Sequence, residues 1–151
     1  MLWLVSEKQE LLLARRADNK RQDPGLWGPS VTGKLEKRET YSQALARETE
    51  EELGLTINDY KPEYLFEIDF AHPDGEVRHF AVYAARVKKT ISNKIIIDKN
   101  EVDQVRWASM IEVKKLLQTK PGEVLPASAF VLWQQVFSKL NYNNVLFALR
   151  L

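Results

Sequence analysis

The chain has 151 residues, 44% of them hydrophobic and 28% charged, with a formal net charge of +1. That length and balance suit a single domain over residues 1–151 with a genuine core, and exclude a disordered chain or a coiled coil. A near-neutral surface gives no global field for a nucleic acid polymer, so a polyanionic ligand must be held by a local site. The chain has no cysteine, which excludes disulfides, thiolate zinc sites and cysteine nucleophiles.

From the N-terminus, Leu2–Val5 and Leu11–Arg15 are predicted strands joined by a polar turn. Glu7 and Glu10 interrupt the apolar stretches, so this segment is neither a signal peptide nor a membrane span, and a cytoplasmic protein is expected. A basic loop follows from Ala17 to Asp23, then a Pro24-Gly25 turn, with Val31 in a short strand. Thr40–Leu53 is the clearest helix. Thr40 and Gln43 form a capping box, Gly54 stands at the left-handed end, and Tyr41, Leu45, Thr49 and Leu53 form the inward stripe.

Tyr64–Phe70 and Val77–Val87 are predicted strands around the turn His72-Pro73-Asp74-Gly75. His72 is expected to be exposed, and His79 to face the core or a pocket. Ile95–Ile97 is a short apolar run, and Val102–Trp107 a strand. Ser109 and Glu112 cap a helix reaching about Gln118, and Ala127–Leu140 is a third helix with Phe130, Trp133, Phe137 and Leu140 on one stripe. The tail from Val145 is apolar and suits an edge strand, a packing arm or a dimer contact. Strands early and helices around them predict a mixed α/β sandwich.

The chemistry lies between Gly33 and Leu55. Glu48, Glu51 and Glu52 stand at i, i+3 and i+4, on one helical face. Like charges so placed repel by roughly a few tenths of a kcal/mol per pair, and Glu50 adds a fourth acid. A glutamate-rich face is most often simply solvated. Read as a site, oxygen ligands without cysteine or histidine favour magnesium or manganese. Arg47 can tie Glu39 to the helix with its rigid fork. Gly33 has the backbone freedom to aim a carbonyl at an ion.

The spacing decides between these readings. Gly33, five residues, Glu39, seven residues, Arg47-Glu48, two residues, Glu51-Glu52, one residue, Gly54 and Leu55 resembles the signature box of the Nudix superfamily. Thr49 is the one departure, standing where the signature has an aliphatic residue. The resemblance implies a mixed sheet between helices, and Mg²⁺ or Mn²⁺ held by Glu48, Glu51, Glu52 and the Thr32 carbonyl. It also implies supporting roles for Glu39 and Arg47, and hydrolysis of a small organic diphosphate. Glu101 is the candidate further glutamate, or else a solvated loop acid. The general base is Glu52, Glu48 or Glu101.

The segment from Arg15 to Lys20, with Pro24-Gly25-Leu26-Trp27, resembles the isopentenyl-diphosphate-isomerase-like branch of that superfamily. There Arg16 and Lys20 would hold the diphosphate, their alternative being a solvated basic loop. Trp27 would line the substrate pocket or pack in the core. Thr32 and Lys34 stand where that isomerase has a cysteine and a histidine, so the hydrolase reading is preferred. A non-catalytic Nudix module binding a nucleotide or protein is the other alternative. Dimerisation is common in the family, and the apolar tail offers a surface for a homodimer.

Overall fold

A computed structural model describes residues 1–132. The strands β1 (Leu2–Ser6) and β2 (Glu10–Arg16) leave their turn as an antiparallel pair, with Val5 opposite Leu11, and then part. Beyond the fork β1 pairs in parallel with β5 (Val77–Val87), which pairs antiparallel with β4 (Glu63–Ala71). On the other branch β2 pairs antiparallel with both β3 (Trp27–Gly28) and β6 (Val102–Ser109). One hydroxyl bridges the fork. Ser30, fully buried, accepts from the Leu4 amide at 2.8 Å and donates to the Leu12 carbonyl at 2.7 Å.

Strand alternation sends successive side chains to opposite faces. Leu2, Leu4, Leu12, Ala81 and Tyr83 face the helix α1 (Tyr41–Leu53), which buries Leu45 and Leu53 against them. Trp3, Val5, Leu11, Leu13 and Val82 face the other way, onto Val113 and Leu117 of α2 (Met110–Thr119) and onto Val124, Ala129 and Leu132 around the short α3 (Pro126–Val131). The result is the expected α/β sandwich, with helices on both faces of a mixed sheet. Among the described residues no helix is long and apolar enough to cross a membrane.

The local signals are realised where they were read. Thr40 and Gln43 cap α1 reciprocally, and Gly54 ends it at φ 66°. Ser109 and Glu112 cap α2 in the same way. Val31 makes only an isolated bridge with Leu2. The run Ile95–Ile97 is an irregular strap: the Ile96 amide donates to the Leu53 carbonyl at 2.9 Å, and Asp98 to Glu52 at 3.1 Å. It thereby satisfies carbonyls that the end of α1 leaves open.

His72 is not exposed. Its side chain is 8% accessible, with Nδ1 2.8 Å from Asp74 and Nε2 3.5 Å from Asp23. The hairpin turn folds over the loop carrying Asp23, which a turn motif alone does not reveal. His79 faces neither the core nor a closed pocket: it is exposed, bracketed by Asp69 at 2.6 Å and Glu67 at 3.0 Å. Most of the expected third helix, with Trp133, Phe137 and Leu140, lies outside the described residues, as does the apolar tail.

Candidate active site

Helix α1 presents its acids at three depths. Glu52 lies on the inward stripe with Leu45, Thr49 and Leu53 and is 7% exposed. The Glu48 side chain is 17% exposed and the Glu51 side chain 55%. The three glutamates share a face by spacing, but the surrounding chain gives them different environments. Thr49, the departure from the signature, is fully buried and donates its hydroxyl to the Leu45 carbonyl at 2.7 Å. The turn above satisfies its polar group, and its methyl packs.

Arg47 organises the outer pair. Its fork grips Glu39 twice, Nε to Oε1 at 2.9 Å and Nη2 to Oε2 at 3.0 Å, and Nη2 also reaches the Lys34 carbonyl at 3.0 Å. Nη1 lies 3.0 Å from Glu48 and 3.1 Å from Glu51. Planar bidentate pairing of this kind fixes direction as well as charge. Hydrogen bonds from Arg47 hold the Glu39 carboxyl below its ordinary range, and Glu39 in turn holds the guanidinium protonated.

Gly33 acts by absence of bulk. A Cβ there would meet the Glu48 carboxyl carbon at 2.0 Å, and the next amide, Lys34, donates to Glu48 Oε1 at 3.1 Å. The glycine was expected to supply backbone freedom. Its φ is not in the left-handed region, and the requirement is close approach.

The opposite wall comes from β2 and the strap. A bulge in the β2–β6 ladder between Arg15 and Arg16 re-aims the strand end. Arg16, with the parity of Leu12 and Ala14, lines a narrow cleft with Pro29, Thr32, Glu52 and Glu101. Its Nε donates to the Gln22 carbonyl at 3.2 Å. Glu101 is placed by the strap, and its carbonyl accepts from the Ala17 amide at 3.0 Å. Lys20 Nζ lies 2.6 Å from Glu101 Oε2.

Burial raises the Glu52 carboxyl to a pKa of about 8; Glu48 and Glu101 push it the same way, while Arg16 and Lys20 pull it down. Four other sequence-nominated residues therefore act electrostatically on Glu52. Trp27 does not join them. Its partner across the ladder is Arg15, on the other face, and it packs among Trp3, Leu13 and Leu117 under the Arg106 guanidinium, which lies 4.7 Å from the ring centroid. Gln22 is the residue that sequence reasoning missed. It works through a backbone carbonyl, and side-chain identity carries no signal of that.

Among the described residues no three histidine, aspartate or glutamate side chains converge tightly enough to hold an ion as they stand; Glu48 and Glu51 are turned onto Arg47 instead. The donor set nonetheless fits a hard divalent cation. It is all oxygen, and its innermost carboxyl is crowded by two others whose repulsion such a charge would relieve.

Comparison with known proteins identifies the fold and the family. Isopentenyl-diphosphate Delta-isomerase of Klebsiella pneumoniae is 32% identical over 127 residues, spanning 82% of this chain and 67% of that protein. The crystal structure of the MutT protein from Methanosarcina mazei superposes with a TM-score of 0.63 at 26% identity, over 84% of this chain and 82% of that one. A Deinococcus radiodurans crystal structure gives a TM-score of 0.71 at 24% identity, over 88% and 78%, and so shares the fold. The NUDIX domain family matches residues 1–128, the span holding the forked sheet, the α1 acids and the facing basic loop. With fold, box and family match in agreement, the chain belongs to the Nudix family.

Proposed function

We propose that this protein is a divalent-cation-dependent hydrolase that cleaves the diphosphate linkage of a nucleoside diphosphate derivative or similar small organic diphosphate. The observation that carries the reading is the Glu52 carboxyl, buried between Glu48 and Glu101 and faced by Arg16 and Lys20. Acids to hold a cation and bases to hold phosphate meet there across one cleft.

When bound, Mg²⁺ or Mn²⁺ would neutralise the phosphate oxygens and lower the pKa of water. Glu48, Glu51 and Glu52, with the Thr32 carbonyl, would hold it. Arg16 and Lys20 orient the diphosphate as a fork and a point charge. Water attacks phosphorus, the phosphoanhydride P–O bond breaks, and its electron pair leaves with the departing phosphate. Glu52, Glu48 or Glu101 takes the proton from that water. Arg47 and Glu39 keep the carboxylates in place. A cysteine-free single domain working in the cytoplasm fits the same reading.

The names of the curated relatives favour a second reading, isomerisation of isopentenyl diphosphate. It is opposed by a chain without cysteine, in which threonine stands at the proton-transfer position. A non-catalytic module has no use for the full acid set. The deciding experiment is a screen of diphosphate compounds, isopentenyl diphosphate included, with Mg²⁺ and with Mn²⁺. Phosphate or pyrophosphate release that disappears in Glu52→Gln is expected. Tight binding without release, or migration of a double bond, would overturn the hydrolase.

A further inference from the structure

Lys20 is bonded to an acid of the site it is proposed to serve. Its Nζ is 2.6 Å from Glu101 Oε2, with the two side chains 26% and 38% exposed. The pair is partly buried, and an ion pair this exposed is weak enough to be exchanged for another partner. A second tie holds the same segment: the Ala17 amide donates to the Glu101 carbonyl at 3.0 Å, and the Lys20 amide to the Ala17 carbonyl at 3.2 Å. The backbone therefore keeps the loop against the strap even when the ammonium swings away. Arg16 is different, because its Nε is already fixed to the Gln22 carbonyl. A lysine ammonium is a point charge on a rotatable four-carbon stem, suited to exchanging partners.

One carboxylate cannot give full strength to an ammonium and to a hard divalent ion at once, since both draw on its single negative charge and repel each other across it. We propose that Lys20 is the resident counter-ion of the metal-free site, and that a divalent cation takes Glu101 from it and thereby frees the ammonium for a substrate phosphate. This rests on the hydrolase reading, with Glu101 as the further glutamate that reaches the cation beside those of the box. The exchange couples the two ligands: the cation releases the lysine that the phosphate needs, and the phosphate draws off the lysine that blocks the cation. Coupling between binding equilibria is reciprocal, so either ligand can report it.

The test is titration of Mn²⁺ into the full chain, followed by electron paramagnetic resonance, with and without methylenediphosphonate as a diphosphate that cannot be hydrolysed. Lys20→Met is expected to bind Mn²⁺ alone about five-fold or more tightly than the wild type, and to lose about five-fold of the enhancement by methylenediphosphonate. Arg21→Met removes the same charge from the adjacent exposed position and is expected to change neither quantity. Glu101→Gln gives a second readout: in EDTA it should bind methylenediphosphonate more tightly than the wild type, because Lys20 is already free. Equal shifts in Lys20→Met and Arg21→Met, or no gain in Glu101→Gln, would overturn the exchange alone. A wild type that takes up no Mn²⁺ would overturn the hydrolase reading, and the exchange with it.

Discussion

Glu48 lies across Gly33 so closely that a methyl group at position 33 would stand 2.0 Å from its carboxyl carbon. Gly33→Ala must therefore push Glu48 off the Lys34 amide and away from Arg47. The site sits at an exposed loop, so the fold should survive with a near-normal melting temperature. Turnover and Mn²⁺ affinity are expected to fall about ten-fold or more, within the range for losing a group that orients a metal ligand. Parallel melting and Mn²⁺ titration check this; unchanged affinity would dissociate Gly33 from the site.

Arg47 holds Glu39 with two nitrogens and reaches Glu48 and Glu51 with the third. Lysine keeps the charge and loses the fork. Arg47→Lys should lower kcat/KM about 10- to 100-fold, and Glu39→Gln should produce a similar loss through the same contact. Steady-state kinetics of the two single variants and the double variant test this. Losses that multiply in the double variant would show two independent roles instead of one unit.

Much of this was legible in the sequence because it is local. The α1 cap, its glycine stop and the box spacing are all set within a few turns of chain. The position of Trp27 was not legible. It depends on pairing with Arg15 across a ladder, where a one-residue shift of register exchanges the faces. The unequal depths of Glu48, Glu51 and Glu52 were hidden for a related reason: Arg16 and Glu101, which line the cleft with Glu52, come from the end of β2 and from the turn before β6, both distant in sequence from α1. The irregular strap at Ile95–Ile97 was equally opaque, since its hydrogen bonds go to the end of α1.

The Glu52 carboxyl gives the metal-free protein a pH dependence. Its folded-state pKa is about 8 against an ordinary 4.5, so the native state holds a proton that the unfolded chain has released. That contribution is fully present below pH 4.5 and is lost as pH rises through 8. The metal-free wild type is therefore expected to lose stability between those limits, by on the order of a few kcal/mol. Glu52→Gln should lack that slope and melt above the wild type at pH 9. Thermal melts in EDTA across this range test it, and parallel slopes in the two proteins would contradict it.

Asp74 is joined to Arg16 through one residue. It accepts from the Gln22 side-chain amide at 3.1 Å, and the Gln22 carbonyl accepts from Arg16 Nε at 3.2 Å. Asp74→Ala is expected to loosen the loop and raise KM several-fold while kcat changes less, because the role proposed for Arg16 is to hold phosphate and not to move protons. Kinetics with the best substrate from the screen decide this; a fall in kcat alone would refute it.

Hydrolysis in ¹⁸O-labelled water is the most direct measurement. The purified chain is incubated with Mg²⁺ and a hydrolysable diphosphate, and the phosphate products are analysed by ³¹P NMR. One labelled oxygen in a phosphate product, absent with EDTA and absent in Glu52→Gln, is the expected result. Unlabelled phosphate throughout, together with deuterium uptake at carbon when isopentenyl diphosphate is supplied in D₂O, would contradict a hydrolase and return the chain to the isomerase reading.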